Sequence, residues 1–351
     1  MIKVLVVDDS PTAREALVNL LNADPAIRVI ATAANGQEAL EAAKRQQPDV
    51  VTMDIHMPQM DGYEATRRIM ETCPTPVVVV SGSSAPREVA KTFRAIEAGA
   101  LAIVQRPAGA WHPEHAATSA EVLRAVKLMS EVKVVRRWPR PRLAGAVLPP
   151  SVPPRPQPST TQSHEIVAVG ASTGGPQALQ AILSGLGKDF PPPVVIVQHM
   201  APGFVHGFAE WLSQASGRGV RVARQGESIL PGGVYLAPDG FHLAVGRGRR
   251  VALVSDGLPV GPCPSISFLF RSVASVYGPR AVGVLLTGMG KDGAEELKQL
   301  KEAGAVTIAQ DEESSVVHGM PGEAIRLGAA AWVLPPEGIA AALIALFRRA
   351  E

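Results

Sequence analysis

The chain has only two cysteines, Cys73 and Cys263, in 351 residues. Their separation fits neither a metal site nor a redox pair, so no disulfide framework is expected, and the two thiols should sit idle in a reducing compartment. Charge of one sign is also scarce. The formal net charge is only +2, which gives no bulk attraction to nucleic acid or to a membrane surface. No helix-turn-helix pattern is found either. Long apolar runs are missing: nothing approaches the roughly 18 residues needed to span a bilayer. The opening MIKVLVVDD is too short an apolar run for a signal peptide and is followed at once by acids. A cytoplasmic protein without membrane insertion is expected. What the chain does have is 46% hydrophobic residues and a length that suits two domains, each able to bury a core.

Residues 2 to 107 alternate β-branched runs with amphipathic segments. Lys3 to Val7, Val29 to Ala33, Val50 to Met53, Val77 to Ser81 and Ala102 to Gln105 are predicted strands, with helical patterns such as ALVNLLN and YEATRRIME between them. Five strands with helical crossovers imply an open parallel α/β sheet, with ligands at the carboxyl ends of its strands. A helix over Glu121 to Arg136 leads into a stretch with eight prolines between Pro139 and Pro158. Too little apolar surface is available there to fold alone, so a semi-extended linker is expected. From Glu165 the alternation resumes. Two of its strands, around Val234 and Val251, lack an intervening helix and suggest an antiparallel hairpin annexed to a mostly parallel sheet.

Asp8 and Asp9 end the first predicted strand and Asp54 ends the third. An open sheet can bring these three carboxylates to one crevice, where like charges are costly unless a cation sits among them. Hard oxygen ligands at that density suit Mg²⁺. The plainer alternative is that Asp9 or Ser10 merely caps a helix beginning at Pro11, though that leaves Asp54 unexplained. The runs VLVVDDS, VTMDIHMPQMDGYEATRRIM, VVVVSGSS and GALAIVQRP resemble the receiver domain of response regulators over about residues 1 to 110. The resemblance implies that Asp54 accepts a phosphoryl group from a histidine kinase, that Asp8 and Asp9 help it bind Mg²⁺, and that Ser81 is the hydroxyl switch. Arg106 stands where that family usually has lysine. Arginine keeps the charge but is planar, bulkier and differently solvated, so an altered switch or phosphoryl lifetime is expected.

In the second half, Gly170-Ala171-Ser172-Thr173-Gly174 fits G-x-S-x-G between a strand and a helix, a turn that presents a serine hydroxyl beside the helix N-terminus. Ser172 could equally be a helix cap, or the turn a phosphate cradle. A nucleophilic serine needs a base and an orienting acid. Among His164, His199, His206, His242 and His318, His199 is best placed, at the end of PPVVIVQ; Asp292 follows AVGVLLT in TGMGKDG. The order Ser, His, Asp differs from that of the α/β-hydrolases, so their fold cannot simply be borrowed. A rival reading stays open at this point. Gly288, Gly290 and Gly293 match G-x-G-x-x-G between a strand and a helix, with Asp311 near the distance of a ribose-binding acid.

GASTGGP, QHMAPGF, LPGGVYLAPDGFHL, PSISFLFRSVA, LTGMGKDG and TIAQDEESSVVHGMPGEAI together resemble the catalytic domain of the chemotaxis protein-glutamate methylesterase (CheB) family, from about Glu165 onward. The resemblance implies Ser172 as nucleophile, His199 as general base, Asp292 as orienting acid, and the backbone N–H groups of Met289 and Thr173 as an oxyanion hole. It also implies ester hydrolysis without a cofactor, glutamine deamidation, and methyl-accepting chemoreceptors as substrates. In the family the unphosphorylated receiver hinders access to the catalytic cleft. The expected architecture is a flavodoxin-like receiver over residues 1–125 and a Pro/Arg-rich linker over 126–163. A doubly wound, mostly parallel α/β methylesterase domain with an antiparallel hairpin follows over 164–351.

Overall fold

The computed structural model describes residues 1–82, 86–109, 111–132, 134, 164–255 and 261–347. The chain divides into two compact units, Met1–Leu143 and Ala144–Glu351. Most of the expected linker, from residue 135 to 163, lies outside the described residues. Cys73 and Cys263 are both free thiols. Among the described residues no helix is long and apolar enough to cross a membrane.

The first unit is a five-stranded parallel sheet in the order β2-β1-β3-β4-β5. Its strands are β1 (Ile2–Val7), β2 (Ile27–Ala33), β3 (Val50–Met53), β4 (Val77–Ser81) and β5 (Ala102–Gln105). The runs VLVV and VVVV are apolar at every position rather than alternating, because a parallel sheet with helices on both faces buries both sides of each strand; Val4 to Val7 and Val77 to Val80 are all buried. Helices α1 (Pro11–Asn22), α2 (Gly36–Gln46), α3 (Gly62–Thr72) and α4 (Pro86–Ala98) make the crossovers. Ser10, Asn35 and Asp61 cap the first three through their side-chain oxygens, satisfying N–H groups that have no partner inside the helix.

The closing helix α5 spans His115–Ser130, earlier than the predicted Glu121 to Arg136. The first turns bury Thr118 and Ser119, small polar residues that carry no hydrophobic signal. The Thr118 hydroxyl donates to the Glu114 carbonyl and accepts from the Ala108 N–H, which removes the cost of burying it. Val122, Val126 and Met129 are fully buried and α5 packs on β3, β4 and β5. The expected boundary at residue 125 therefore cuts through a helix that belongs to this core.

The second unit is built on a seven-stranded sheet, order β14-β13-β12-β6-β7-β9-β8, parallel throughout. Its strands are β6 (Ile166–Ala171), β7 (Val194–Gln198), β8 (Val220–Val222), β9 (Val234–Leu236), β12 (Ala281–Leu285), β13 (Val306–Gln310) and β14 (Trp332–Leu334). Helices α6 (Gly175–Leu186), α7 (Val205–Ser216) and α11 (Pro336–Phe347) pack together; α8 (Ile266–Tyr277), α9 (Ala294–Glu302) and α10 (Met320–Arg326) form a second layer. The hairpin differs from expectation. Val234 opens β9, inside the parallel sheet, whereas the antiparallel pair is β10 (His242–Gly246) with β11 (Arg250–Val254), a separate two-stranded sheet against α8. The reversal lies within GRGRR, where Gly248 and Arg249 adopt left-handed φ of 74° and 58°. Strand β8 has no counterpart in the sequence expectation: its three residues, Val220-Arg221-Val222, carry a charge at the centre and leave no apolar run to read.

Candidate active site and acidic cluster

In the first unit the carboxyl ends of neighbouring strands converge as expected. Asp8 and Asp9 follow β1, Asp54 follows β3, and a ligand oxygen from each lies within 4.8 Å of the others. Ser10 does cap α1, so that alternative holds for Ser10, but it does not dissolve the cluster. Asp8 is fully buried, Asp54 nearly so, and Asp9 exposed. Gly62 lets the start of α3 pack on the backbone that carries Asp54: its N–H donates to the Ile55 carbonyl, and a Cβ there would fall 2.2 Å from the Asp54 carbonyl oxygen. Burial, together with the neighbouring Asp8 charge and against the Arg106 guanidinium, pushes the Asp54 carboxyl up to about 6. Burial likewise raises Asp8, against Arg106. Carboxylates crowded this way are an all-oxygen donor set that fits a divalent ion such as Mg²⁺. Ser81 is buried at the end of β4, and its carbonyl accepts the Arg106 N–H at 2.7 Å. Arg106 reaches back over the cluster, Nη2 lying 2.8 Å from Asp8 Oδ2 and 3.2 Å from Asp54 Oδ1.

In the second unit, β6 connects through α6 on one face and β12 through α9 on the other, so the crevice at their carboxyl ends is where the winding reverses. Ser172 lies just past β6 and Asp292 past β12; His199 lies past β7, the other neighbour of β6. Parallel register pairs Ala171 with Gln198, and the His199 N–H donates to the Ala171 carbonyl at 2.9 Å. His199 Nε2 is 3.0 Å from Asp292 Oδ2. Both side chains are largely buried, 18% and 14% exposed. Asp292 faces Nε2, and Nδ1 is the other ring nitrogen through which an imidazole can take up a proton. The Ser172 hydroxyl and His199 are not hydrogen-bonded to each other; such contacts commonly tighten only once substrate is bound.

Asp292 is tied more tightly than its spacing could reveal. It accepts from the Ile266 and Ser267 N–H groups at 2.7 and 3.1 Å and from the Ser265 hydroxyl at 3.1 Å, so the N-terminus of α8 points at the carboxylate. Burial alone would raise its pKa. Hydrogen bonds from His199, Ser267 and Ile266 and the His199 charge outweigh that and hold the carboxyl well below the usual range. Behind it, His242 Nδ1 accepts the Ser265 N–H at 3.2 Å; burial lowers the pKa of His242, which favours the neutral ring that has an acceptor. Ser267 Oγ accepts the Gly293 N–H and donates to Glu296.

The glycines of both loops serve close approach. A Cβ on Gly288 would lie 2.6 Å from the Ser172 Cβ and one on Gly175 2.0 Å from Gln198 Oε1. Gln198 is a site residue that the sequence does not signal, although it precedes His199: its Nε2 donates to the carbonyls of Ser172 and His199, each at 2.8 Å. The Thr287 hydroxyl accepts the Val317 N–H and donates to the Thr173 carbonyl. The N–H groups of Thr173 and Met289 make no hydrogen bond among the described residues, and Met289 is half exposed. Of the other histidines, His318 pairs its chain with Gly288 but directs Nδ1 to Ser315. His206 lies on α7, and His164 packs on Phe347. The dinucleotide reading fails on geometry: the Gly293 N–H that would face a pyrophosphate is taken by Ser267, Asp292 is committed to His199, and Asp311 accepts from Ser314.

Fold and site define a signalling receiver joined to an α/β hydrolytic domain. Residues 4–112 match the response regulator receiver domain and residues 167–343 the CheB methylesterase. The chain is 59% identical over 344 residues to the protein-glutamate methylesterase/protein-glutamine glutaminase of Nitrosospira multiformis, covering 98% of this chain and 96% of that one. It is 56% identical to a protein of the same name, numbered 4, from Geobacter metallireducens, covering 99% of each. The crystal structure of the Thermotoga maritima CheB methylesterase catalytic domain superposes with a TM-score of 0.50 at 41% identity, covering 52% of this chain and 99% of that one. The chain belongs to the CheB methylesterase family.

Proposed function

We propose that the chain is a protein-glutamate methylesterase and protein-glutamine glutaminase that acts on chemoreceptors and is activated by phosphorylation of Asp54. The observation that carries this reading is the placement of His199, hydrogen-bonded to Asp292 and registered against the strand end that bears Ser172. His199 Nδ1 takes the Ser172 proton as Oγ attacks the carbonyl carbon of a γ-glutamyl methyl ester. The oxyanion that forms accepts from the N–H groups of Thr173 and Met289, and Asp292 stabilises the imidazolium. Collapse breaks the C–O bond to the methoxy group, which leaves as methanol with the proton from His199. Water, deprotonated by the same nitrogen, then attacks the acyl-enzyme, freeing the glutamate and returning the proton to Ser172. For glutamine the leaving group is ammonia.

A divalent ion held by Asp8, Asp9 and Asp54 would offset the charge of an incoming phosphoryl group. A histidine kinase of the chemosensory pathway is the phosphodonor, and the setting is cytoplasmic. Phosphorylation adds charge and acceptor oxygens at Asp54, which bias Ser81 and Arg106 and relieve the restraint on the catalytic domain. Tenfold activation needs only about 1.4 kcal/mol of difference between restrained and released states. Methanol release from methylated receptor cytoplasmic fragments tests the whole reading, with and without a small-molecule phosphodonor and Mg²⁺. Release that needs Ser172 and rises with the phosphodonor is the expected result. Equal release by Ser172→Ala refutes the esterase, and release indifferent to the phosphodonor refutes the control.

A further inference from the structure

Asp292 is held by the first turn of α8, so whatever fixes that turn also fixes the acid. Ser265, which caps α8, stands at the centre of the arrangement. Its hydroxyl accepts the Phe268 N–H at 3.3 Å and donates to Asp292 Oδ1 at 3.1 Å. The next two N–H groups, of Ile266 and Ser267, reach Asp292 at 2.7 and 3.1 Å. The Ser265 N–H goes instead to His242 Nδ1 at 3.2 Å. His242 opens β10 and is buried, its ring 5.1 Å from that of Phe268. Burial, against the nearby Asp292 charge and together with Arg271, holds the ring below the ordinary histidine pKa, which favours the neutral form that can accept. The separate hairpin of β10 and β11 is thus joined to the acid of the site by two hydrogen bonds in series. A second tie, from the Val245 N–H to Ser272 Oγ at 3.0 Å, fastens the same hairpin to α8 about two turns further along.

We infer that His242 is a positioning residue for the esterase reaction: its Nδ1 anchors the cap of α8, so that the helix presents its donors to Asp292 and Asp292 presents Oδ2 to His199. Among the described residues His242 makes no hydrogen bond to Ser172, His199 or Asp292, and it acts through Ser265. An N–H shielded from water and left without an acceptor is costly. Loss of Nδ1 therefore lets the Ser265 peptide turn toward another partner and draws the Ile266 and Ser267 donors off the carboxylate. The 3.0 Å contact between Asp292 and His199 then loses its alignment. The role demands an acceptor at this point, not a ring and not a titratable group. This inference rests on the reading of Ser172, His199 and Asp292 as the catalytic triad.

The test compares side chains at position 242 in the full-length protein by steady-state methanol release, with thermal unfolding to confirm that each variant is folded. His242→Asn puts an amide oxygen in place of Nδ1 and keeps the acceptor. His242→Phe keeps a ring against Phe268 and has no acceptor; His242→Leu, also without one, is read in the same way if the phenylalanine variant does not fold. Ser272→Ala removes the other tie between hairpin and helix. Folded His242→Phe is expected to lose about 10²-fold in kcat, the cost of misplacing a reacting group by about 1 Å, with KM nearly unchanged. His242→Asn should recover most of that loss, and Ser272→Ala should keep the wild-type kcat. Wild-type kcat in folded His242→Phe, a loss carried by KM, His242→Asn as slow as His242→Phe, or an equal loss in Ser272→Ala each overturns the proposal. Asp292→Asn separates the two levels of failure. Its combination with His242→Phe should be no slower than Asp292→Asn alone, because both changes act on one hydrogen bond. Wild-type kcat in Asp292→Asn refutes the triad reading itself. A slow Asp292→Asn whose loss multiplies with that of His242→Phe refutes only the route through His242.

Discussion

Replacing Asp292 with asparagine changes one atom type in a site where four donors meet. His199 Nε2, the Ile266 and Ser267 N–H groups and the Ser265 hydroxyl all point at this carboxylate. An amide keeps one acceptor oxygen, which can retain the pair at Oδ1, but its NH₂ then faces two donors at Oδ2. Hydrogen bonds to a charged group are worth roughly 1.5–3 kcal/mol each, so about 3 kcal/mol of stability should be lost at neutral pH. For a domain of this size that lowers the melting temperature by about 6–12 °C. The pH dependence has a definite sign. The native carboxyl lies below the usual range, while an unfolded aspartate titrates near about 3.9. The wild type therefore holds this stability in full above about pH 4 and loses it as pH falls toward the native value. The gap between wild type and variant should narrow below about pH 4. Catalytically, the amide reverses the tautomer demanded of His199 and leaves Nδ1 protonated, so kcat should fall by about 10³–10⁴. Steady-state methanol release and melting curves between acid and neutral pH measure both effects. A kcat within tenfold of wild type, or a melting gap as large in acid as at neutrality, refutes the reasoning.

Gly288→Ala places a Cβ against Ser172 Cβ and Met320 Sδ, at 2.6 and 2.7 Å; displaced by even part of an ångström, Ser172 should lose about 10²-fold in kcat, read against an unchanged fold by circular dichroism. Gln198→Ala strips the donor shared by the Ser172 and His199 carbonyls and should cost about 1–3 kcal/mol, with kcat falling more than KM rises. Removing divalent ions with EDTA should leave basal, phosphodonor-independent methanol release unchanged while abolishing its stimulation. Arg218, buried against the carbonyls of Gly187, Phe190 and Gly232, bridges α7 to the loops before β7 and β9. Arg218→Ala should lower the melting temperature by several degrees and leave kcat of the folded fraction intact, since no contact of Arg218 reaches the site.

Local chemistry was legible wherever burial on both faces or turn geometry leaves a composition mark. The Val-rich strands β1, β3, β4, β6 and β7 could be placed from their unbroken apolar runs. Asp54, Ser172, His199 and Asp292 stand out as candidates because each lies past the carboxyl end of an apolar strand, where open α/β sheets collect their ligands, and the family resemblance implies their roles. Short or polar elements escaped: α5 began earlier because Thr118 and Ser119 are buried without being apolar, and β8 is three residues with a charge at the centre. The hairpin was misplaced because Val234 and Val251 look alike as sequence, while only the sheet decides that β9 adds in parallel beside β7. Chain order alone determined which residue types could reach the crevice. Tertiary structure decided which of five histidines meets Asp292, through the registry of β7 against β6. It also decided that the glycine-rich loop braces Ser172 rather than cradling a nucleotide, through the packing of the α8 N-terminus on Asp292 and Gly293. Both decisions depend on hydrogen bonds between residues distant in sequence, and such pairings exist only once the sheet has set which strand ends are neighbours.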